Sequence, residues 1–399
     1  MTETDISVVS CTHSRCATEY KSAVFSAKAR FFFKAPQTMA EQSVCQMPEG
    51  WGGEFSAALR YDGGRKVACV RLEGDNSWRL EAYEQQNGTA WRLIEIRAPD
   101  RGAWLQAIQE FNQQAPNPFI NESEYNGPSH DQPVRIFVLS DADNMAMTVV
   151  CCRQSVHIWT EDGTYRVHLL RVEGSYFAFY NGTVFVSHAA GIFYLSLSDG
   201  IMDHLAVADD FFRRLRDEHG CIEELAVNRI GIFAVTVNKL LPAMPCIVTF
   251  LVEREGGLDR IQELGTYEGD YSGLHFSSSR PDKMIAIEHF PRPRGLAWSF
   301  APVTLDFYNL FNNAKVTGRR DQQNGIFRPT IVGISDTRIL IYSPGSGTVS
   351  AYDGAAMTNV RTLPMGQTRT HLLGGEIMLV GNRQEATLVL WNRVLVVTL

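Results

Sequence analysis

Three hexapeptides in the C-terminal part of this chain share one pattern: TLDFYN at 304–309, TVSAYD at 348–353 and TLVLWN at 387–392. Each reads Thr, an aliphatic residue, two variable positions, an aromatic residue, then Asn or Asp, and their starts lie 44 and then 39 residues apart. Looser versions stand upstream as RLEAYE (79–84), SVHIWT (155–160), GIFYLS (191–196) and CIVTFL (246–251), each an extended apolar run ending in a bulky residue. The marker residues are Tyr83, Trp159, Leu195, Phe250, Tyr308, Tyr352 and Trp391. A phrase repeated at this spacing points to a chain built from stacked copies of one supersecondary unit.

The surroundings of the phrase identify the unit. Before Tyr352 come PTIVGIS, a turn at Asp336-Thr337, RILIYSP and the turn GSG; after it come a polar turn and VRTLP. YSGLHFSSS, MIAIEHF, TLDFYN and AKVTG follow the same order around Tyr308. The runs are rich in Val, Ile, Phe and Tyr, and Gly, Asp, Asn, Ser and Pro break them. Four short strands per repeat of about 40 residues describe a β-propeller blade rather than the helix pairs of other solenoids. The expected fold is all-β, a seven-bladed β-propeller of four-stranded antiparallel blades with two short helical insertions.

An aromatic residue followed by Asp or Asn at the end of the third strand resembles the WD-repeat family of propellers. Tyr352-Asp353, Tyr308-Asn309 and Trp391-Asn392 stand where that family has its WD dipeptide, and the resemblance covers residues 51–399. The Gly-His pair that opens a WD repeat is missing from every copy, and four of the seven copies lack Asp or Asn after the bulky residue. The resemblance therefore implies the architecture, and the family's Asp–His–Ser/Thr–Trp hydrogen-bond network is not carried over.

Two interruptions read as helices. DRGAWLQAIQEFNQQ (100–114) has Asp100 as N-cap and Trp104, Leu105, Ile108 and Phe111 on one face, and a polar linker extends this insertion to about 133. DHLAVADDFFRRLRDEHG (203–220) has Asp203 as N-cap, Phe211, Phe212 and Leu215 inward, and Gly220 as its stop. Residues 1–20 read as a flexible tail and 21–50 as a segment holding a candidate ring-closing strand, for which 22–33 (SAVFSAKARFFF) is the choice. Closure matters because an open ring leaves edge strands bare.

Composition narrows the function classes. No apolar run reaches the ~18–20 residues of a membrane span. The N-terminus lacks a signal-peptide pattern, so the expectation is an intracellular protein, nuclear or cytoplasmic, with reduced thiols. Cys69, Cys151, Cys152 and Cys246 fall in apolar runs and read as core residues. Net charge is −7 with dispersed Lys and Arg, which argues against direct nucleic-acid binding.

Few residues suggest chemistry. CTHSRC offers Cys11, His13 and Cys16, with Cys45 as the candidate fourth zinc ligand, but the spacing of a structural zinc site is absent. His157 lies opposite the apolar Val156 and Ile158 and reads as a surface or inter-blade residue. TEDGTY (160–165) resembles the Asp-box of sialidase propellers, one residue short and with Tyr165 for Trp, and reads as a turn. No nucleotide-binding or nucleophile-elbow motif occurs in a fitting context. The innermost strands contribute Glu223, Glu224, His275 and His371, fewer oxygen ligands than a hard-cation site wants. No catalytic residue, metal or cofactor is expected.

One set favours binding: Arg292, Arg294, Arg319, Arg320 and Arg328 fall in loops of neighbouring blades, and guanidinium forks suit acidic groups. The expected function is a non-enzymatic WD40-like adaptor that binds peptide segments or helices of partner proteins in a larger assembly. The family parallel narrows this to the mitotic-checkpoint or mRNA-export type. The alternative is a propeller hydrolase or lactonase working at the central channel.

Overall fold

The structure is a computed structural model. It describes residues 40–46, 54–73, 77–86, 90–114, 131–140, 146–170, 174, 176–188, 191–198, 202–205, 211–218, 220–238, 245–255, 258–276, 283–291, 298–306, 315–317, 323–325, 330–335, 338–343, 347–353, 359–364, 372–390 and 392–399. These belong to one compact unit, Gln37–Leu399.

After an initial strand β1 (Ala40–Gln46) the chain lays down antiparallel meanders in sequence order. Sheet 1 holds β2 (Glu54–Tyr61), β3 (Lys66–Leu72), β4 (Trp78–Gln86) and β5 (Ala90–Arg97). Helix α1 (Arg101–Gln114) follows, then sheet 2 with β6 (Pro133–Ser140), β7 (Ala146–Cys152), β8 (Ser155–Thr160) and β9 (Tyr165–Leu169). Sheet 3 holds β10 (Tyr176–Tyr180), β11 (Thr183–His188), β12 (Gly191–Ser196) and β13 (Met202–His204). Helix α2 (Phe211–Glu218) leads to sheet 4, with β14 (Cys221–Val227), β15 (Ile232–Asn238), β16 (Cys246–Glu255) and β17 (Leu258–Glu268). Sheet 5 holds β18 (Asp270–Phe276), β19 (Lys283–Pro291), β20 (Trp298–Asp306) and β21 (Lys315–Thr317), with β22 (Gln323–Gly325) also on β20. Sheet 6 holds β23 (Thr330–Ile334), β24 (Arg338–Ser343), β25 (Thr348–Asp353) and β26 (Asn359–Pro364). Sheet 7 joins β27 (Leu372–Val380), β28 (Arg383–Leu390) and β29 (Arg393–Thr398) to β1, with Ala40 opposite Thr398. The strand on the C-terminal sheet is thus Ala40–Gln46, while the expected 22–33 lies outside the described residues.

Burial on both faces explains the near-continuous apolar runs. Alternate residues of a strand point opposite ways. In β3, Val67 and Cys69 pack with Val389 and Val394 of sheet 7, whereas Ala68 and Val70 pack with Ile136 and Val150 of sheet 2. The bulky markers lie in third strands and face the preceding sheet. Tyr83 meets Val396, Trp159 meets Trp78, Leu195 joins Val149, Phe250 joins Phe185, and Tyr352 joins Ile287. Tyr308 and Trp391 lie outside the described residues. Cys69, Cys151, Cys152 and Cys246 are buried as free thiols, as core residues should be.

The helices occupy the intervals read as insertions. Asp100 caps α1, its Oδ1 accepting the Ala103 N–H at 2.8 Å, and Trp104 and Ile108 pack on Val167 and Leu169 of β9. The second helix corrects the sequence reading: it begins at Phe211, and Asp203 is no N-cap. Asp203 lies in β13, opposite Tyr194, because the free edge of β12 takes these residues as its fourth strand. Phe211, Phe212 and Leu215 do go inward, onto Phe250, and the Gly220 N–H closes the helix on the Leu215 carbonyl at 3.2 Å. TEDGTY is the hairpin turn between β8 and β9, the Asp162 carboxylate accepting the Thr164 N–H at 2.9 Å.

Phe250 is fully buried between Phe185, Phe233 and both helix phenylalanines. Phe250→Ala should cost ~3–5 kcal/mol in denaturant unfolding. Leu379→Ala, at a position 65% exposed, should change stability by under about 0.5 kcal/mol.

Candidate functional site

Each sheet begins with one strand, and these first strands lie side by side. β2 neighbours β6, and the order continues through β10, β14, β18, β23 and β27 back to β2. Because every sheet is the same kind of meander, these seven strands start at the same end. Six of them carry a register shift near that start: Phe55/Ala57, Pro133/Arg135, Ile222/Glu224, Ser272/His275, Ile331/Gly333 and Leu372/Gly374. A β-bulge frees backbone groups from the ladder and re-aims side chains, so this end forms a polar mouth. The residues after the shifts are Ala57, Arg135, Glu224, His275, Gly333 and Gly374, and Glu376 follows two places on, on the same side of β27 as Gly374.

Three of the charged residues reach to the next first strand. The Glu376 carboxylate accepts the Arg60 N–H of β2. Glu224 Oε2 accepts the Leu274 N–H at 3.0 Å, and its carboxylate also takes the Gly273 N–H, both freed by the bulge in β18. Gly273 has φ +65°, and a Cβ there would stand 3.0 Å from Ile331, so the bulge requires glycine. Arg135 donates from Nη1 to the Phe177 carbonyl of β10 at 3.3 Å, its only hydrogen bond among the described residues. Arg135 is exposed, and its guanidinium also lies over the Phe137 ring at 5.5 Å.

These groups sense one another. Burial pushes the Glu376 carboxyl up to about 7, against the opposing pull of the Arg60 N–H and the Arg60 and Arg135 charges. Burial and then the nearby Arg135 hold His275 down at about 4, so it is neutral at pH 7. The Glu224 carboxyl is raised, mainly by burial, and Tyr176 of β10 is raised by burial and then by Glu224 and Glu223. On the side of β27 that carries Glu376, Gly374 leaves room, since a Cβ built on it would meet nothing within 4 Å. Gly333 is different, its Cβ position lying 3.0 Å from the Glu376 backbone.

The structure brings Glu224 and His275 to the mouth, both on strands read as innermost. His371 lies outside the described residues, as do Arg292, Arg294, Arg319, Arg320 and Arg328. Sequence reading missed Glu376 because the Gly374-Gly375 pair looked like the end of a short strand, whereas β27 runs through it to Val380. Arg135 carries no signal of its own in the sequence, being a single charge within the apolar strand run VRIFVL.

A second polar cluster lies inside sheet 2. Ser155 donates its only proton to Asp131 Oδ2 at 2.6 Å, so it must accept from His157 Nε2 at 2.7 Å. His157 Nδ1 then accepts from the Tyr165 hydroxyl at 2.7 Å. Asp131, Cys152 and His157 place potential metal-ligand atoms within 4.8 Å of one another. Both imidazole nitrogens are already engaged, however, and burial pushes the Cys152 thiol far up. Ser155 is fully buried and its proton points at the carboxylate, so the trio is no nucleophilic triad. It is an inter-sheet strut, with His157 edge-on to Trp78 of sheet 1 at 4.9 Å. Of the two readings offered for His157, inter-blade and surface, the structure supports the first.

Comparison with known proteins supports the architecture. No family model and no curated protein matches this sequence. Among solved structures, the chain is similar to a catalytically inactive virginiamycin B lyase from Staphylococcus aureus with quinupristin, at 11% identity and TM-score 0.55, covering 90% of this chain and 99% of that one. A streptogramin B lyase matches at 10% identity and TM-score 0.55, covering 90% and 97%. The N-terminal domain of Nup159 matches at 11% identity over 89% and 97%, with a TM-score of 0.45. At these identities the likeness is one of fold. The fold is a β-propeller.

Burial holds His157 at about 3, below its unfolded value near 6.5, so the unfolded chain takes up a proton first as pH falls. This contribution is intact above pH 6.5 and declines by up to ~1.4 kcal/mol per pH unit below it. His157→Phe should be less stable than the parent at pH 7, yet lose less stability between pH 6.5 and 4.5 in urea unfolding.

Proposed function

We propose that this protein is a closed, seven-bladed propeller of WD-like design that works as a non-enzymatic adaptor, holding a partner segment at the mouth formed by its first strands. Seven sheets, neighbouring first strands all round, and β1 completing sheet 7 support the closed seven-blade reading. The Asp131–Ser155–His157 strut supports the WD-like part, since it uses residue types of that family's network.

The observation that carries the binding role is that Arg135 and His275 are placed at the mouth but not consumed. Arg135 spends one donor on a carbonyl, and His275 makes no hydrogen bond among the described residues. They stand on rigid strands, which suits recognition with little ordering cost. Glu224 and Glu376 are committed to backbone N–H groups of the next strand, a positioning role. Arg135 favours an acidic partner segment within the cell, in nucleus or cytoplasm. The narrower form, an adaptor of the mitotic-checkpoint or mRNA-export kind, rests on blade count by analogy.

The second reading is a propeller enzyme, a hydrolase or lactonase at the channel. One observation favours it. Glu376 is held at about 7 within the field of Arg135, and a proton-transfer group beside an anion anchor is what acid–base chemistry uses. The likeness to lyases is one of fold and leaves the chemistry open.

Gentle affinity purification with quantitative mass spectrometry, run beside Arg135→Ala and Gly374→Leu, tests the adaptor. The parent should bring one or two partners in stoichiometric amounts, and both variants should lose them at least tenfold. A protein that purifies alone at low and moderate salt, or partners indifferent to both variants, would overturn the reading.

A further inference from the structure

β5, the outer strand of sheet 1, pairs with β4 on one edge and, among the described residues, with no strand on the other. Leu93, Ile94 and Ile96 are 41%, 42% and 53% exposed along it, and among the described residues no other strand carries three exposed large apolar side chains. The outer strand of sheet 2 is treated differently, since α1 lays Trp104 and Ile108 over Val167 and Leu169 of β9. A long, apolar, open edge is a template for another strand, and proteins that do not use one blunt it with Lys, Pro or a cover. We infer that β5 is a docking edge, to which an extended segment of a partner protein, apolar on one face and acidic on the other, adds as a fifth strand of sheet 1. β5 is the strand of sheet 1 farthest from β2 and hence from the mouth, so nothing here depends on the mouth being a binding surface.

The ladder sorts the side chains of β5 onto two faces. Residues directly opposite on neighbouring strands share a face. Leu93 stands opposite Tyr83 and Ile96 opposite Glu81, the register shift between Ala82 and Tyr83 bringing both to one side of the strand. Tyr83 packs with Val396 of sheet 7, so this apolar side is turned toward that sheet. Arg92 opposite Glu84, Glu95 opposite Ala82 and Arg97 opposite Leu80 take the other side. An incoming strand therefore meets aliphatic side chains on one face and charged ones on the other.

Charge selects the occupant. Glu95 is consumed by Arg97, which donates to it from Nε at 2.6 Å. Arg92 is exposed and closes no ion pair, with Glu84 or with any other described residue. The uncommitted charge of β5 is thus positive and suits a carboxylate on the incoming strand. A second copy of this chain fits poorly. The symmetric antiparallel pairing that sets Leu93 against Ile96 of the other copy also sets Arg92 against Arg97 of the other copy, at both ends, and like charges directly opposite destabilise a ladder. A segment of another protein escapes this. The sheet already holds the edge extended, so only the segment is ordered on binding.

Selection of heptapeptides from a random display library on the intact protein, with counter-selection on Arg92→Glu, tests the edge. Sequences enriched on the parent alone should alternate Val, Ile, Leu or Phe with polar residues and carry Asp or Glu among the latter. A synthetic peptide of the leading sequence, followed by fluorescence anisotropy, should bind roughly tenfold or more weakly to Arg92→Glu and to the double variant Leu93→Thr/Ile96→Thr. Both alter exposed side chains only, so their melting curves should match the parent. N-methylating alternate amides of the peptide should abolish binding for one set and spare it for the other, because a strand added at an edge is bonded on one side alone. No enriched sequence, enriched sequences without that alternation, binding indifferent to the double variant, or tolerance of both methylated sets overturns the inference. A dimer of the parent in sedimentation equilibrium that the double variant dissolves would also overturn it, since the edge would then serve a second copy. Peptides lost with Arg135→Ala and indifferent to the β5 variants belong to the mouth, and would sink this edge while leaving the adaptor.

Discussion

Face-to-face packing between neighbouring sheets is the interaction on which everything else here depends. Each inner and middle strand sends odd residues to one neighbour and even residues to the other, as Val67 and Ala68 do. A sheet removed from this arrangement would expose two apolar faces, so no single sheet can hold its shape alone. The bulky third-strand residues help set the spacing, and Phe185 of sheet 3 edge-on to Phe233 of sheet 4 at 4.9 Å shows how tightly the interface is filled. α1 and α2 add apolar cover, one on β9 and one on the Phe250 cluster.

That packing puts the first strands next to one another, and their bulges then bring backbone donors and charged side chains together. The bulge amides of β18 need acceptors, and Glu224 from β14 supplies one. Glu376 performs a similar service for β2. The polar mouth is thus partly a solution to a backbone problem. Among the described charged residues of the mouth, Arg135 and His275 keep unspent hydrogen-bonding capacity.

Much of the architecture was legible in the sequence because its signal is local. Alternating apolar residues, turn residues and a bulky marker at fixed offsets report four strands and their order without reference to distant parts of the chain. The Asp100 cap was readable for the same reason. Asp203 was misread because a local cap pattern competed with a non-local demand, the open edge of β12, and the ladder won. The charged arginines of the loops gave a candidate surface, but loop residues carry no periodicity that would say where they converge.

The sequence by itself determined the repeat, the strand order within each sheet and the residues that fill the interfaces, since hydrophobic pattern and backbone preference act over a few residues. Only the tertiary structure decided that Arg135, Glu376 and His275 come to one ring of neighbouring first strands. They come from sheets 2, 7 and 5, hundreds of residues apart at the extreme, and stretches between them have no pattern in common. Their proximity and the altered acidity of Glu376 and His275 arise from burial and mutual charge, quantities that exist only once the first strands lie side by side.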